Sequence, residues 1–191
     1  MIIMISTKEE AIEILKKHVK GRSNIDHNLM VGYGLLGLAK LFNKNEQEQN
    51  KWFVIGCLHD IDIEKYGTDI NKHCVIGEEI LQKENIDQEI IDIIKSHNDC
   101  LGIERKKEVE HMLYSCDGLT GIIRAYVLMR PDRDITQAKV KSITKKLKDK
   151  TFAAAVSREE IRSCEQTLKI ETNKLIEGTL QGIKRNMNFN L

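Results

Sequence analysis

Apolar residues recur at three- and four-residue spacings through most of the chain, the period of helices that bury one face. In residues 7–21, TKEEAIEILKKHVKG, Thr7 and Glu10 have capping-box spacing, Ala11, Ile14, Leu15 and His18 share a face, and Gly21 stands where a helix should stop. A second helix is predicted from about Asp26 to Phe42. Its glycines at 32, 34 and 37 weaken it but let a neighbour approach closely. The polar stretch NKNEQEQN leads into a third helix, whose WFVIGCL segment is apolar all round and is therefore expected at the centre, ending in His59 and Asp60.

KYGTDIN, residues 65–71, reads as a loop. Residues 71–84 read as a helix with Ile76, Ile80 and Leu81 inward, and DQEIIDIIKSHN as another, with a stripe of Ile90, Ile93, Ile94 and His97. A long helix is predicted over 108–129, stopped by Pro131, with two more at 136–150 and 157–183. No alternating strand pattern, repeat or linker interrupts this order. The expectation is an all-α chain forming one domain of about seven or eight helices, its C-terminal helices (136–186) packed on a core from about 20 to 130.

Composition narrows the picture. The chain has 191 residues, 41% of them hydrophobic and 31% charged, with a net charge of +1, so charge gives no argument for nucleic acid or an anionic membrane as partner. Its five cysteines, at 57, 74, 100, 116 and 164, form no CxxC pair, which argues against a disulfide frame or a thiolate zinc knuckle and for reduced thiols. No apolar run is long enough to span a bilayer, and the opening MIIMIS is too short for a secretion signal. These features predict a cytoplasmic protein.

The chemistry concentrates at the end of the third helix. A buried carboxylate without a partner costs several kcal/mol or more, so Asp60 after an apolar run needs compensation. His27, His59, Asp60, His73, His97 and Asp117 each fall in or beside an apolar helical face. Imidazole and carboxylate suit Mn, Fe, Co, Ni, Zn or Mg. Neighbours on a helix point about 100° apart, so His59 and Asp60 can hold one ion together, or Asp60 can bridge two. A histidine on an apolar face is more often a hydrogen-bonded core residue, and His18 satisfies the same periodicity as His97. The residues alone leave both readings open.

The order decides between them. His27, then LHDID with its HD pair at 59 and 60, then Asp117 opening DGLTGIIRAY, resembles the HD superfamily of metal-dependent phosphohydrolases, with His73 and His97 placed like the extra histidines of its binuclear members. The resemblance covers about residues 20–130. The tail KKLKDKTFAAAVSREEI is similar to that of small bacterial HD-domain hydrolases. It implies an HD-type helical bundle with one or two divalent ions. His27, His59, Asp60 and Asp117 would hold the first; Asp60 would bridge to a second completed by His73 and His97. Asp62 and Ile63 stand where cyclic-dinucleotide-degrading relatives carry Gly and Lys, and no GYP motif occurs, which argues against that subgroup. His18 and His111 match nothing in the pattern.

The function so implied is hydrolysis of a phosphoester or phosphoanhydride in a small phosphorylated substrate, a nucleotide being one candidate. Asp60, His73 and His97 would serve the chemistry; in a one-ion version the two histidines would handle protons or substrate. Ser115 and Cys116 have no evident base partner. Arg124, two turns after Asp117 on the same face, is expected to contact phosphate. The run KVKSITKKLKDK is expected to be mainly a solvated face, with Lys145 and Lys146 as the candidates to reach a nucleotide's phosphates. Asp62 is either a carboxylate that orients a ligand or a loop acid, and Trp52 is expected in the core. An HD-fold di-iron oxygenase and a non-catalytic nucleotide-binding module are the alternatives. An oligomer is compatible with the sequence.

Overall fold

The computed structural model describes residues 7–67 and 69–187. The opening Met1–Ser6, read above as no secretion signal, and Thr68 in the predicted loop lie outside them. Helix α1, Lys8–His18, begins as its sequence dictates: the Glu10 amide donates to Thr7 Oγ1 at 3.2 Å and the Thr7 amide donates back to Glu10 Oε2 at 2.7 Å. Ala11 and Leu15 point inward. Gly21 does not terminate α1. It is the N-cap of α2, Arg22–Leu41, which starts four residues earlier than its apolar stripe. The cap comes from elsewhere in the chain: Glu64 accepts from the Lys20 amide at 2.9 Å and also from the Gly21 amide.

Asn45 caps α3, Glu46–Leu58, by accepting from the Glu48 amide. Every residue from Trp52 to Leu58 is buried, as expected of a helix apolar on all sides. Helix α2 fits between α3 and α10, Thr172–Asn186, through glycine contacts. A Cβ on Gly56 of α3 would stand 2.8 Å from Gly32 Cα, and one on Gly37 would collide with the backbone of Gly178 and Gly182.

Helix α4, Ile63–Tyr66, occupies part of the predicted loop. Helix α5, Val75–Lys83, begins later than 71, because turns closed by Lys72 N and His73 N on Asp69 O precede it. Helix α6, Gln88–Lys95, ends before His97, and α7, Glu108–Leu128, ends ahead of Pro131. A short 3₁₀ turn at Ile135–Gln137 precedes α8, Val140–Lys148.

The predicted helix at 157–183 is two helices, α9, Arg158–Thr167, and α10. Lys169 adopts a left-handed φ of 59°, the Ile170 amide turns back to Cys164 O, and the Glu165 carboxylate accepts from the Thr172 amide at 3.1 Å to start α10. The result is an all-α bundle with no β-strand among the described residues. One apolar cluster runs through it from Ala11 to Met187. No described helix is long and apolar enough to cross a membrane.

Candidate metal centre

Most of the chemistry-bearing side chains sit at helix ends, where the backbone turns them inward. His59 is the C-cap of α3, Asp60 follows it, and Asp62 is the N-cap of α4. His73 lies in the turn before α5 and His97 in the turn after α6. His27 and Asp117 project from α2 and α7. The five segments converge on the two oxygens of Asp60.

Asp60 Oδ2 stands 3.7 Å from His27 Nε2 and 3.5 Å from His59 Nε2. Asp117 Oδ1 closes this side, 3.0 Å from His27 Nε2 and 3.7 Å from His59 Nε2. Asp60 Oδ1 faces the other way, 3.3 Å from His73 Nε2 and 3.4 Å from His97 Nε2, with those two nitrogens 3.2 Å apart. Bonds of about 2.0–2.2 Å in a tetrahedral set leave neighbouring ligands about 3.3–3.6 Å apart. Both groups have that spacing.

The other ring nitrogens are already engaged. His59 Nδ1 lies 2.8 Å from Gly56 O and His97 Nδ1 2.6 Å from Ile94 O. A carbonyl can only accept, so each Nδ1 donates and each Nε2 is turned toward the centre, where its lone pair can serve a cation. His73 Nδ1 pairs with Asp62 Oδ1 at 2.8 Å. His27 Nδ1 faces Thr120 Oγ1 at 3.5 Å, a hydroxyl that donates to Asp117 O. His59 Nε2 is buried with no hydrogen-bond partner, an arrangement costly for a lone nitrogen and natural for a ligand. The residues therefore fit a divalent cation, and each oxygen of Asp60 faces its own pair of imidazole nitrogens.

Electrostatics agrees. Burial would raise the Asp60 carboxyl, but the charge of His59 and contacts with His73 and His97 hold it well below the usual range. Burial would likewise raise Asp117, which His27 and His59 hold low. His73 is pushed up to about 12: burial opposes its charging, and the carboxylates of Asp60 and Asp62 prevail. His97 is raised well above its ordinary value against burial, through Asp60 and Cys74, and His27 is raised against burial by Asp117. The carboxylates thus demand positive charge at the spot where the nitrogens converge, and protons supply it when no cation does.

The supporting residues complete the geometry. Asp62 is a buried orienting acid rather than a loop acid: its Oδ2 accepts from the amides of Cys74 at 2.8 Å and Gly77 at 3.0 Å while Oδ1 holds His73. Asn28 Oδ1 accepts from the Asp60 amide at 3.3 Å, and Asn98 Nδ2 donates to His73 O at 3.0 Å. Sequence reasoning did not single out Asn28, Asn98, Thr120 or the site role of Cys74. Only Asn28 carried a signal, an amide inside an apolar face beside His27.

Exposure shows where the centre opens. The Asp117 and His27 side chains are 32% and 25% accessible, whereas those of His97 and His59 are 7% and 0%. Arg124 lies on the open side; its charge reaches His27, and its Nε is buried without a hydrogen-bond partner. Lys145 is exposed and the Lys146 ammonium stands 4.6 Å over the Phe152 ring; neither joins the contacts of the cluster. His18 pairs with Glu84 at 2.7 Å, and half-buried His111 is lowered by burial and by Arg105, so neither belongs to the centre. Burial pushes the Cys116 thiol up to about 12, and Ser115 donates to Glu160 O, so no protein nucleophile emerges.

The HD domain family model matches residues 24–135, a span that contains all six converging residues. No curated protein and no solved structure gives a significant match.

Proposed function

The chain belongs to the HD domain family, whose members are in general metal-dependent hydrolases, and on that premise we propose that it hydrolyses a phosphoester or phosphoanhydride bond in a small phosphorylated substrate. One observation supports the reading: each oxygen of Asp60 faces its own pair of imidazole nitrogens, so one carboxylate would serve two adjacent cations. His27, His59, Asp60 and Asp117 would hold the first ion, and Asp60, His73 and His97 the second. Divalent ions supply Lewis acidity, lowering the pKa of water and offsetting charge on phosphoryl oxygens.

The chain's own residues do the positioning. Asp62 sets the His73 ring and Asn28 sets the backbone of Asp60. The substrate approaches from the His27–Asp117 side, the accessible one, where the Arg124 guanidinium, whose charge reaches His27, would offset the charge of a phosphate. Buried carbonyl-anchored imidazoles keep water from competing at the rear. A nucleotide is the favoured substrate class, an inference by family analogy.

The test combines metal analysis of purified protein with phosphate release from p-nitrophenyl phosphate and a nucleotide panel, each divalent metal being supplied in turn. The expected result is two ions per chain and metal-dependent release, both lost in Asp60→Asn. Two loaded ions without turnover of any phosphate compound would favour a nucleotide-binding module. Bound iron with oxygen consumption would favour an oxygenase.

A further inference from the structure

Cys74 is placed differently from the other described thiols. Cys57, Cys116 and Cys164 are buried among apolar residues in the core, and Cys100 is exposed. Cys74 is 1% accessible and lies at the histidine cluster, its Sγ 3.8 Å from His97 Nδ1 and 4.0 Å from His97 Nε2. His73, Cys74 and His97 each present a ligand atom within 4.8 Å of the others. The backbone at Cys74 is left-handed, φ 67°, a conformation that costs a non-glycine residue about 1 kcal/mol or more. Asp62 holds it there by accepting from the Cys74 amide with the same carboxylate that orients His73. On the other side of Asp60, the buried Nε2 of His59 has no hydrogen-bond partner and stands 3.5 Å from Asp60 Oδ2.

Resting on the reading that the centre holds two divalent ions, we propose that the Cys74 thiolate is a ligand of the second one, beside His73, His97 and Asp60. The thiol proton leaves to solvent as the sulfur takes the ion. A sulfur, two imidazoles and a carboxylate make a borderline-soft set that selects zinc, cobalt(II) or iron(II) over magnesium at this position, while the first, with only nitrogen and oxygen ligands, stays permissive. The two positions would then differ in metal preference.

Cobalt(II) titration of the metal-free full chain tests this, read by metal stoichiometry and by the near-ultraviolet sulfur-to-cobalt charge-transfer band. Two cobalt ions per chain are expected, with the band growing as one of them binds. Cys74→Ser should lose the band, and Cys100→Ser should keep it. Two bound cobalt ions without a band, or a band that survives Cys74→Ser, would overturn the Cys74 assignment and leave the two-ion centre standing. Binding of no second ion would overturn both. Should Cys74→Ser fail to fold, zinc-edge X-ray absorption of the wild-type protein decides the matter: one sulfur scatterer supports the assignment, and none overturns it.

Discussion

Asp62 spends its whole carboxylate on three donors, the His73 ring and the amides of Cys74 and Gly77, and its side chain is wholly buried. Asp62→Asn would turn an amide NH₂ toward donors at one oxygen position or the other, leaving at least one buried donor without an acceptor. The His73 ring would lose its orientation. Partners of this kind are worth about 10–100-fold in metal affinity. Competitive metal titration should therefore show the second ion weakened by about that factor, with the first unaffected. Equal weakening of both, or of neither, would contradict the division of the centre. The six converging residues were legible from an order that resembles the HD superfamily; residue type and local spacing alone marked His97 no better than His18. Asp62 was legible only as a choice between two roles, and Cys74 not at all as a site residue. A thiol's direction depends on φ and on which carboxylate holds its backbone, and neither is written in the neighbouring residues.

Helix α2 carries His27 and Asn28 toward the centre, and its opposite faces press on α3 and α10. The approach of α2 to α10 depends on hydrogen at Gly182: a Cβ there would collide with Tyr33 O and the backbone of Gly37. Gly182→Ala should cost about 3 kcal/mol, the upper range of overpacking, because backbone rather than a mobile side chain is in the way. Urea denaturation measures it; a loss below about 0.5 kcal/mol, the level of an unconstrained surface change, would mean that the helices do not touch there. No centre residue lies on α10, so the folded variant should keep its metal stoichiometry. Periodicity located most helices but could not see their ends. The span 157–183 reads as one helix, yet the chain breaks at 168–171 because Lys169 turns left-handed and Glu165 offers a fresh cap. Gly21 likewise looked like a stop, and serves instead as a start capped by a glutamate 43 residues away.

In the whole molecule, the centre ties α2, the turns after α3 and α6, the turn before α5, and α7 to one point, so ion binding is coupled to the folded state. A ligand at a hundredfold excess over its Kd stabilises by about 2.7 kcal/mol, which for a chain of this size is roughly 5–10 °C in Tm. Exhaustive chelation should lower Tm by about that amount, and zinc or manganese should restore it. A Tm indifferent to chelator in protein shown to carry ions would mean that they bind away from the fold's junctions.

The order that resembles the HD superfamily singled out the acids and imidazoles of the centre, while local patterning settled the helical class and the central place of the WFVIGCL run. The class and that central place follow from burial and spacing over a few residues. Which oxygen of Asp60 faces which histidines, how Asp62 locks His73, where the last helices part and where the centre opens were decided only in three dimensions. Each depends on groups brought within about 4 Å from distant parts of the chain, and a linear pattern holds no information about separations of that kind until the packing of the helices is known.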